Sequence, residues 1–213
     1  MTHCCAQGCY DGQFDDRQAA KDLKRFREDG PDPTTRALID ALRAANVVDA
    51  TLLDIGGGVG AIHHELLSAG AASATHVDAS APYLRAAKEE SERRGTANRV
   101  RFLNGDFVAM TPDIVAADIV TLDRVICCYP DMKALVAASA SRARRLYGIV
   151  VPRERWTLKL GFAVYNLFKR MLRDDFRIYL HPMAAIDAAV HRQGLILRTE
   201  RQTFVWRVAV YSR

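Results

Sequence analysis

The sequence predicts an α/β fold: a doubly wound, mainly parallel seven-stranded sheet closed by a C-terminal antiparallel hairpin. Three observations predict it. From residue 50 onward, short apolar runs alternate with helical segments, the pattern of repeated strand–helix units. The glycine cluster Gly56-Gly57-Gly58-Val59-Gly60 follows the first of those runs and opens a helix, as a ligand-binding strand-to-helix turn does. The last two strand-like runs, residues 195–200 and 203–211, are separated only by Arg201-Gln202. Two residues permit a hairpin but not a crossover, so the last strand is expected to be antiparallel.

The elements follow in order. Residues 14–28 and 34–45 read as two helices, divided at Gly30-Pro31-Asp32-Pro33, where glycine stops one helix and proline opens the next. Residues 50–55 are a short apolar run before the glycines, as expected of a buried parallel strand. Then come helix 61–69, strand 74–78, helix 82–94, strand 100–103, a helix near 108–116 and strand 118–122. Helix 133–143, strand 146–151, an amphipathic helix 155–172 and helix 182–193 lead to the hairpin. The expected organisation is an N-terminal cysteine-containing segment with two helices over 1–46, acting as a lid or cap, and a ligand-binding domain over 47–213.

At 213 residues, 49% apolar and 26% charged, the chain suits one well-packed globular domain. Residues 1–16 carry no apolar run after a basic start, so no secretory signal and a cytoplasmic location are expected. The apolar stretch 156–172 is interrupted by Lys159, Lys169 and Arg170, which argues against a membrane span. Five cysteines, Cys4, Cys5, Cys9, Cys127 and Cys128, argue against a disulfide framework. From Lys133 onward 16 Lys and Arg face 5 Asp and Glu, an excess that steers anionic small molecules or simply solvates the surface. No nucleic-acid motif accompanies it, which argues against a nucleic-acid partner.

The glycine loop lets the backbone approach a ligand closely. Gly56, Gly58 and Ala61 also satisfy a dinucleotide fingerprint, so an oxidoreductase has to be weighed. Asp54 favours another ligand: a carboxylate beside the loop repels a pyrophosphate and suits an ammonium group. Asp78, at the second strand end with Ala79 beside it, lies 22 residues after Gly56, where its oxygens can accept ribose hydroxyls. In Asn104-Gly105-Asp106-Phe107, Asp106 is placed to accept from an exocyclic adenine amine and Phe107 to line the ring's slot; capping of the following helices is the plainer role.

These residues, Asp54-Ile55-Gly56-Gly57-Gly58-Val59-Gly60, Asp78, Gly105-Asp106-Phe107 and the terminal hairpin, resemble the class I S-adenosylmethionine-dependent methyltransferase superfamily over residues 48–213. Gly57 stands where many members carry cysteine. The resemblance implies S-adenosylmethionine as cofactor, a small-molecule methyl acceptor, and a cofactor set of Asp54, Gly56, Gly57, Gly58, Gly60, Asp78, Ala79, Asp106, Phe107 and Asp123. A narrower resemblance, to bacterial proteins related to magnesium-protoporphyrin O-methyltransferases, is carried by Phe14, Lys24-Arg25-Phe26-Arg27, Asp123-Arg124-Val125-Ile126-Cys127-Cys128-Tyr129-Pro130 and Phe176-Arg177-Ile178-Tyr179.

Residues 123–131 follow the fourth strand, whose carboxyl end faces the crevice of a doubly wound sheet; this is the expected methyl-facing wall. In it Tyr129 is placed to orient or deprotonate a nucleophile, Arg124 to clamp a carboxylate and Cys128 to bind a soft atom, while small buried packing is the plainer role of Cys127 and Cys128. Arg153 and Arg155 are further anchors for an anionic acceptor. Alternatives are a thiol or metalloid methyltransferase using the cysteines, and a nucleic-acid methyltransferase or non-catalytic binding module. His3-Cys4-Cys5 and Cys9 are open between metal capture, a lid and disorder. His63 and His64 are expected on the helix surface, because helix neighbours point about 100° apart and share a tetrahedral ion poorly. His181 is expected to cap a helix. Phe162, Tyr165, Phe168 and Leu172 form a stripe expected in the core, with a substrate cover as the alternative.

Overall fold

The computed structural model describes residues 12–213. Its strands are β1 (Thr51–Ile55), β2 (Ser73–Asp78), β3 (Val100–Asn104), β4 (Ala117–Asp123), β5 (Ala143–Pro152), β6 (Ile196–Gln202) and β7 (Trp206–Ser212). They form one seven-stranded sheet in the order β3-β2-β1-β4-β5-β7-β6. The first five are parallel, and β7 lies antiparallel between β5 and β6. The strand order reverses between β1 and β4, which places the crevice at their carboxyl ends.

Eight α-helices surround the sheet among the described residues: α1 (Asp16–Asp29), α2 (Pro33–Ala44), α3 (Ala61–Ser68), α4 (Ala81–Arg93), α5 (Phe107–Met110), α6 (Met132–Ser141), α7 (Trp156–Met171) and α8 (Met183–His191). Side chains alternate across a strand, so β1 sends Leu52 to one face and Leu53 to the other. The Leu52 face is covered by Leu38, Ile39 and Leu42 of α2 and by Ile62, Leu66 and Leu67 of α3. The opposite face is covered by α6 and α8 through Leu135, Val136, Ile186 and Val190. Helix α2 thus belongs to the core of the sheet. Helix α1 packs on α4, where Leu23 and Phe26 share a cluster with Tyr83 and Ala86.

Three expectations change. The hairpin turn falls at 203–205, where the Thr203 N–H donates to the Trp206 carbonyl at 2.8 Å, so β6 runs through Arg201 and Gln202. The helix near 108–116 shrinks to α5, followed by a 3₁₀ turn over Thr111–Asp113 containing Pro112. The stripe on α7 is not core: no residue of that helix is buried, and Phe168 and Leu172 are exposed. Among the described residues no helix is long and apolar enough to cross a membrane.

Candidate active site

The carboxyl ends of β1, β2, β3 and β4 open into one cavity of about 290 Å³. It is lined on the β1–β2 side by Gly56, Gly58, Asp78, Ala79, Ser80 and Tyr83. Asp106 and Phe107 line it beyond β3, and Asp123, Arg124, Cys128 and Tyr129 beyond β4. Of the residues singled out in the sequence for the cofactor, Asp54, Gly57 and Gly60 do not line it.

Asp78 is held from two sides. Its Oδ2 accepts from the Gly58 N–H at 3.0 Å and its Oδ1 from the Ser80 N–H at 2.8 Å, tying the glycine loop to the start of α4. Burial pushes its carboxyl up to about 6 despite these donors. Asp106 caps α5, accepting from the Val108 N–H at 3.0 Å, and also faces the cavity, where Tyr129 Oη donates to it at 3.0 Å. Capping and cavity lining coexist in this residue. The N-terminal Phe14, part of the narrower resemblance, also lines the cavity. Its carbonyl accepts from Ser80 Oγ at 2.7 Å, and its ring meets Tyr83 and Phe176 edge to face.

Asp54 is corrected. It is fully buried and does not line the cavity. Its Oδ1 accepts from Thr121 Oγ1 at 2.8 Å and its Oδ2 lies 3.3 Å from His63 Nδ1; it supports the glycine loop from beneath. A Cβ at Gly57 would stand 2.7 Å from that same Oδ2 and 2.6 Å from the His76 ring, so no cysteine fits there without repacking. Gly57 faces a neighbouring cleft, whereas Gly60 lines neither space.

Arg124 is corrected as well. It has φ 61°, and its guanidinium donates to Asp32, to Thr34 Oγ1 at 2.7 Å and to Thr35 Oγ1 at 3.2 Å. Burial raises the Asp32 carboxyl, but the guanidinium beside it outweighs burial and holds it at about 2. Arg124 thus clamps the N-terminus of α2 to the end of β4 and is not a spare anchor for a substrate carboxylate. Arg153 and Arg155 do not line the cavity: the first donates to the Thr203 carbonyl, the second lies over the Phe204 ring.

Asp123 is half-buried, accepting from Thr35 Oγ1 at 2.5 Å, and its Oδ1 is ion-paired with Arg124 Nε at 3.5 Å. Burial pushes its carboxyl up to about 6, against the nearby Arg124. Cys127 is buried behind the wall and Cys128 lines it, their sulfurs 3.9 Å apart. His181 does not cap α8. Its Nε2 lies 3.0 Å from the Tyr129 carbonyl, and the Tyr179 N–H donates to the Cys127 carbonyl at 2.7 Å, so the 176–181 segment braces the wall. His63 and His64, expected on the helix surface, are both fully buried. His3, Cys4, Cys5 and Cys9 lie outside the described residues.

Residues 52–146 match the family described as a methyltransferase domain. No curated protein matches. Among solved structures, magnesium protoporphyrin IX methyltransferase from Synechocystis with bound SAH is similar at 22% identity and a TM-score of 0.70, covering 84% of this chain and 82% of that one. An O-methyltransferase family protein from Burkholderia thailandensis is similar at 18% identity and a TM-score of 0.71, covering 96% and 62%. An O-methyltransferase family 2 protein from Planctomyces limnophilus, in complex with apigenin, is similar at 20% identity and a TM-score of 0.59, covering 89% and 64%. The sheet order with its antiparallel β7 is the fold these proteins share, and residues 52–146 carry the matching domain. Residues 52–146 therefore match a methyltransferase domain, and the chain has the class I methyltransferase fold.

Proposed function

We propose that the chain methylates a small molecule through an oxygen nucleophile in the cavity between Asp78 and the 123–129 wall. The observation that carries this reading is Asp78, fixed by two backbone donors in a cavity whose other walls are largely apolar. The residues fit the cofactor: a carboxylate for ribose hydroxyls, Asp106 and Phe107 for the base, and glycines where a ligand meets backbone. The partner for the cofactor's ammonium, expected at Asp54, passes to Asp123, a carboxylate that lines the cavity at the switch point with Arg124 Nε 3.5 Å from its Oδ1.

S-adenosylmethionine supplies a methyl group on a sulfonium, which a nucleophile attacks in line with the leaving sulfur. The chain's share is position and exclusion of water. Tyr129, Val125 and Leu135 wall the acceptor side, and Phe14 on Tyr83 and Phe176 covers the entrance together with α1 as a lid. With the arginines held elsewhere, an acceptor of largely apolar body is favoured over one gripped through a charge. Incubation with cofactor carrying a labelled methyl group and a small-molecule extract tests this. Label appearing in a base-labile ester or a stable ether supports it, and label on protein or nucleic acid alone opposes it.

The ammonium assignment has a pH consequence. The folded Asp123 carboxyl, raised to about 6 with Arg124 beside it and Asp32 and Asp54 nearby, is ionised above that value and neutral below. Cofactor affinity is therefore expected to hold above about pH 7 and to fall by up to about a hundredfold per unit below pH 6, as Asp123 and Asp78, both raised to about 6, must each lose a proton. Calorimetric titration with S-adenosylhomocysteine between pH 5 and 8 reads this. An affinity flat across that range removes Asp123 from the role.

A second reading is favoured by one observation, the 3.9 Å separation of Cys127 and Cys128 at the wall: methylation of a soft atom held by thiolates. Replacing all five cysteines by serine separates the two readings. The oxygen-nucleophile reading expects methyl transfer and cofactor affinity to survive. Loss of transfer in a folded, cofactor-competent variant selects the thiolate reading.

A further inference from the structure

Three imidazoles and a carboxylate are buried beneath the glycine loop, in a place the proposed methyl transfer does not use. Asp54 lies next to the end of β1, His76 lies on β2, and His63 and His64 lie in the first turn of α3; all four are fully buried. His63 Nδ1 stands 3.3 Å from Asp54 Oδ2 and 3.1 Å from His76 Nδ1. One donor atom from each of Asp54, His63 and His76 falls within 4.8 Å of the others.

A hydrogen-bonded chain accounts for this poorly. A neutral ring nitrogen carries one proton or one lone pair, so His63 Nδ1 satisfies one of its two neighbours at a time. Among the described residues, His63 Nε2, His76 Nε2 and both nitrogens of His64 have no hydrogen-bond partner. A single ion facing the two Nδ1 atoms and the carboxylate oxygen accounts for both short separations. Donors about 2.0–2.1 Å from a tetrahedral ion stand about 3.3–3.4 Å apart, close to the 3.1 and 3.3 Å observed.

We propose that Asp54, His63 and His76 bind a zinc-class divalent cation beneath the glycine loop. Two imidazole nitrogens and one carboxylate select a borderline transition ion over calcium or magnesium, which take oxygen sets. Burial keeps both imidazoles in the neutral form that coordinates, with His63 and His76 held at about 3. His64 does not join; its ring stacks on Phe26. The ion ties β1, β2 and α3 together where a Cβ on Gly57 or Gly60 would run into the His76 or His63 ring, so loading stiffens the loop on which the cofactor rests. This inference does not depend on the acceptor.

The test uses the full chain, stripped with chelator and titrated with Co²⁺. One retained equivalent is expected after desalting, with visible bands of a tetrahedral centre, no thiolate charge-transfer band and a raised melting temperature. Asp54→Asn and His76→Gln are each expected to abolish the bands. Three results overturn the proposal: no retained cobalt in the folded wild-type chain, bands with thiolate charge transfer that mark the cysteines instead, or unchanged bands in a folded Asp54→Asn variant. If His76→Gln does not fold, the wild-type spectrum and Asp54→Asn still decide.

Discussion

Replacing Asp78 by alanine is expected to weaken S-adenosylhomocysteine binding by about 1.5–3 kcal/mol, the scale of hydrogen bonds to a charged group, or about 10- to 150-fold in Kd. Two losses combine. The ribose hydroxyls lose a carboxylate that stands ready at the cavity wall. The Gly58 and Ser80 N–H groups also lose their shared acceptor, so the loop is no longer registered on α4. Asp78→Asn keeps one acceptor oxygen and is expected to fall between the variant and the wild type. Calorimetry measures the affinities, and circular dichroism melting confirms folding. A folded Asp78→Ala protein that binds normally assigns the ribose contact elsewhere.

Gly60→Ala is expected to have the largest effect on stability. Gly60 has φ 85° and begins α3. An alanine there meets both the backbone cost of about 1–3 kcal/mol for a side chain in the left-handed region and a clash with the His63 ring, with His64 Nε2 2.9 Å away. These rings are enclosed and cannot swing aside, so an overpacking cost of about 1–3 kcal/mol is added. The expected total is about 2–6 kcal/mol, roughly 4–24 °C in Tm for a chain of this size. Gly95→Ala is the control: φ is 69° but nothing lies within 4 Å of its Cβ position, so only the backbone cost of about 1–3 kcal/mol remains. Equal melting shifts for the two variants would show that the histidines do not fill the space beneath the loop.

The features legible in the sequence are those set by chain-local chemistry. The short span between the last two strands dictates the antiparallel β7, and glycines after an apolar run mark the loop over the crevice. Asp78 and Asp106 follow from strand ends alone. What the sequence hides depends on partners far along the chain. Arg124 reads as a free cation, yet its guanidinium is taken by Asp32, Thr34 and Thr35, about ninety residues earlier. Helix α3 reads as having a solvent side, but α1 lays Phe26 over His64, so both histidines are enclosed. The α7 stripe shows the converse: periodicity identifies an apolar face without saying whether anything covers it. Asp54 was legible as important but not as buried, because a strand end next to a glycine loop can point into the crevice or beneath it.

The proposed function requires the cavity between Asp78 and the 123–129 wall to take a sulfonium cofactor and to exclude a dinucleotide. The most direct measurement is calorimetric titration of the purified chain with S-adenosylmethionine, S-adenosylhomocysteine and NAD in parallel. Saturable binding of both sulfur ligands at one site per chain, with no heat from NAD, is the predicted result. Binding of NAD with no response to either sulfur ligand would contradict it.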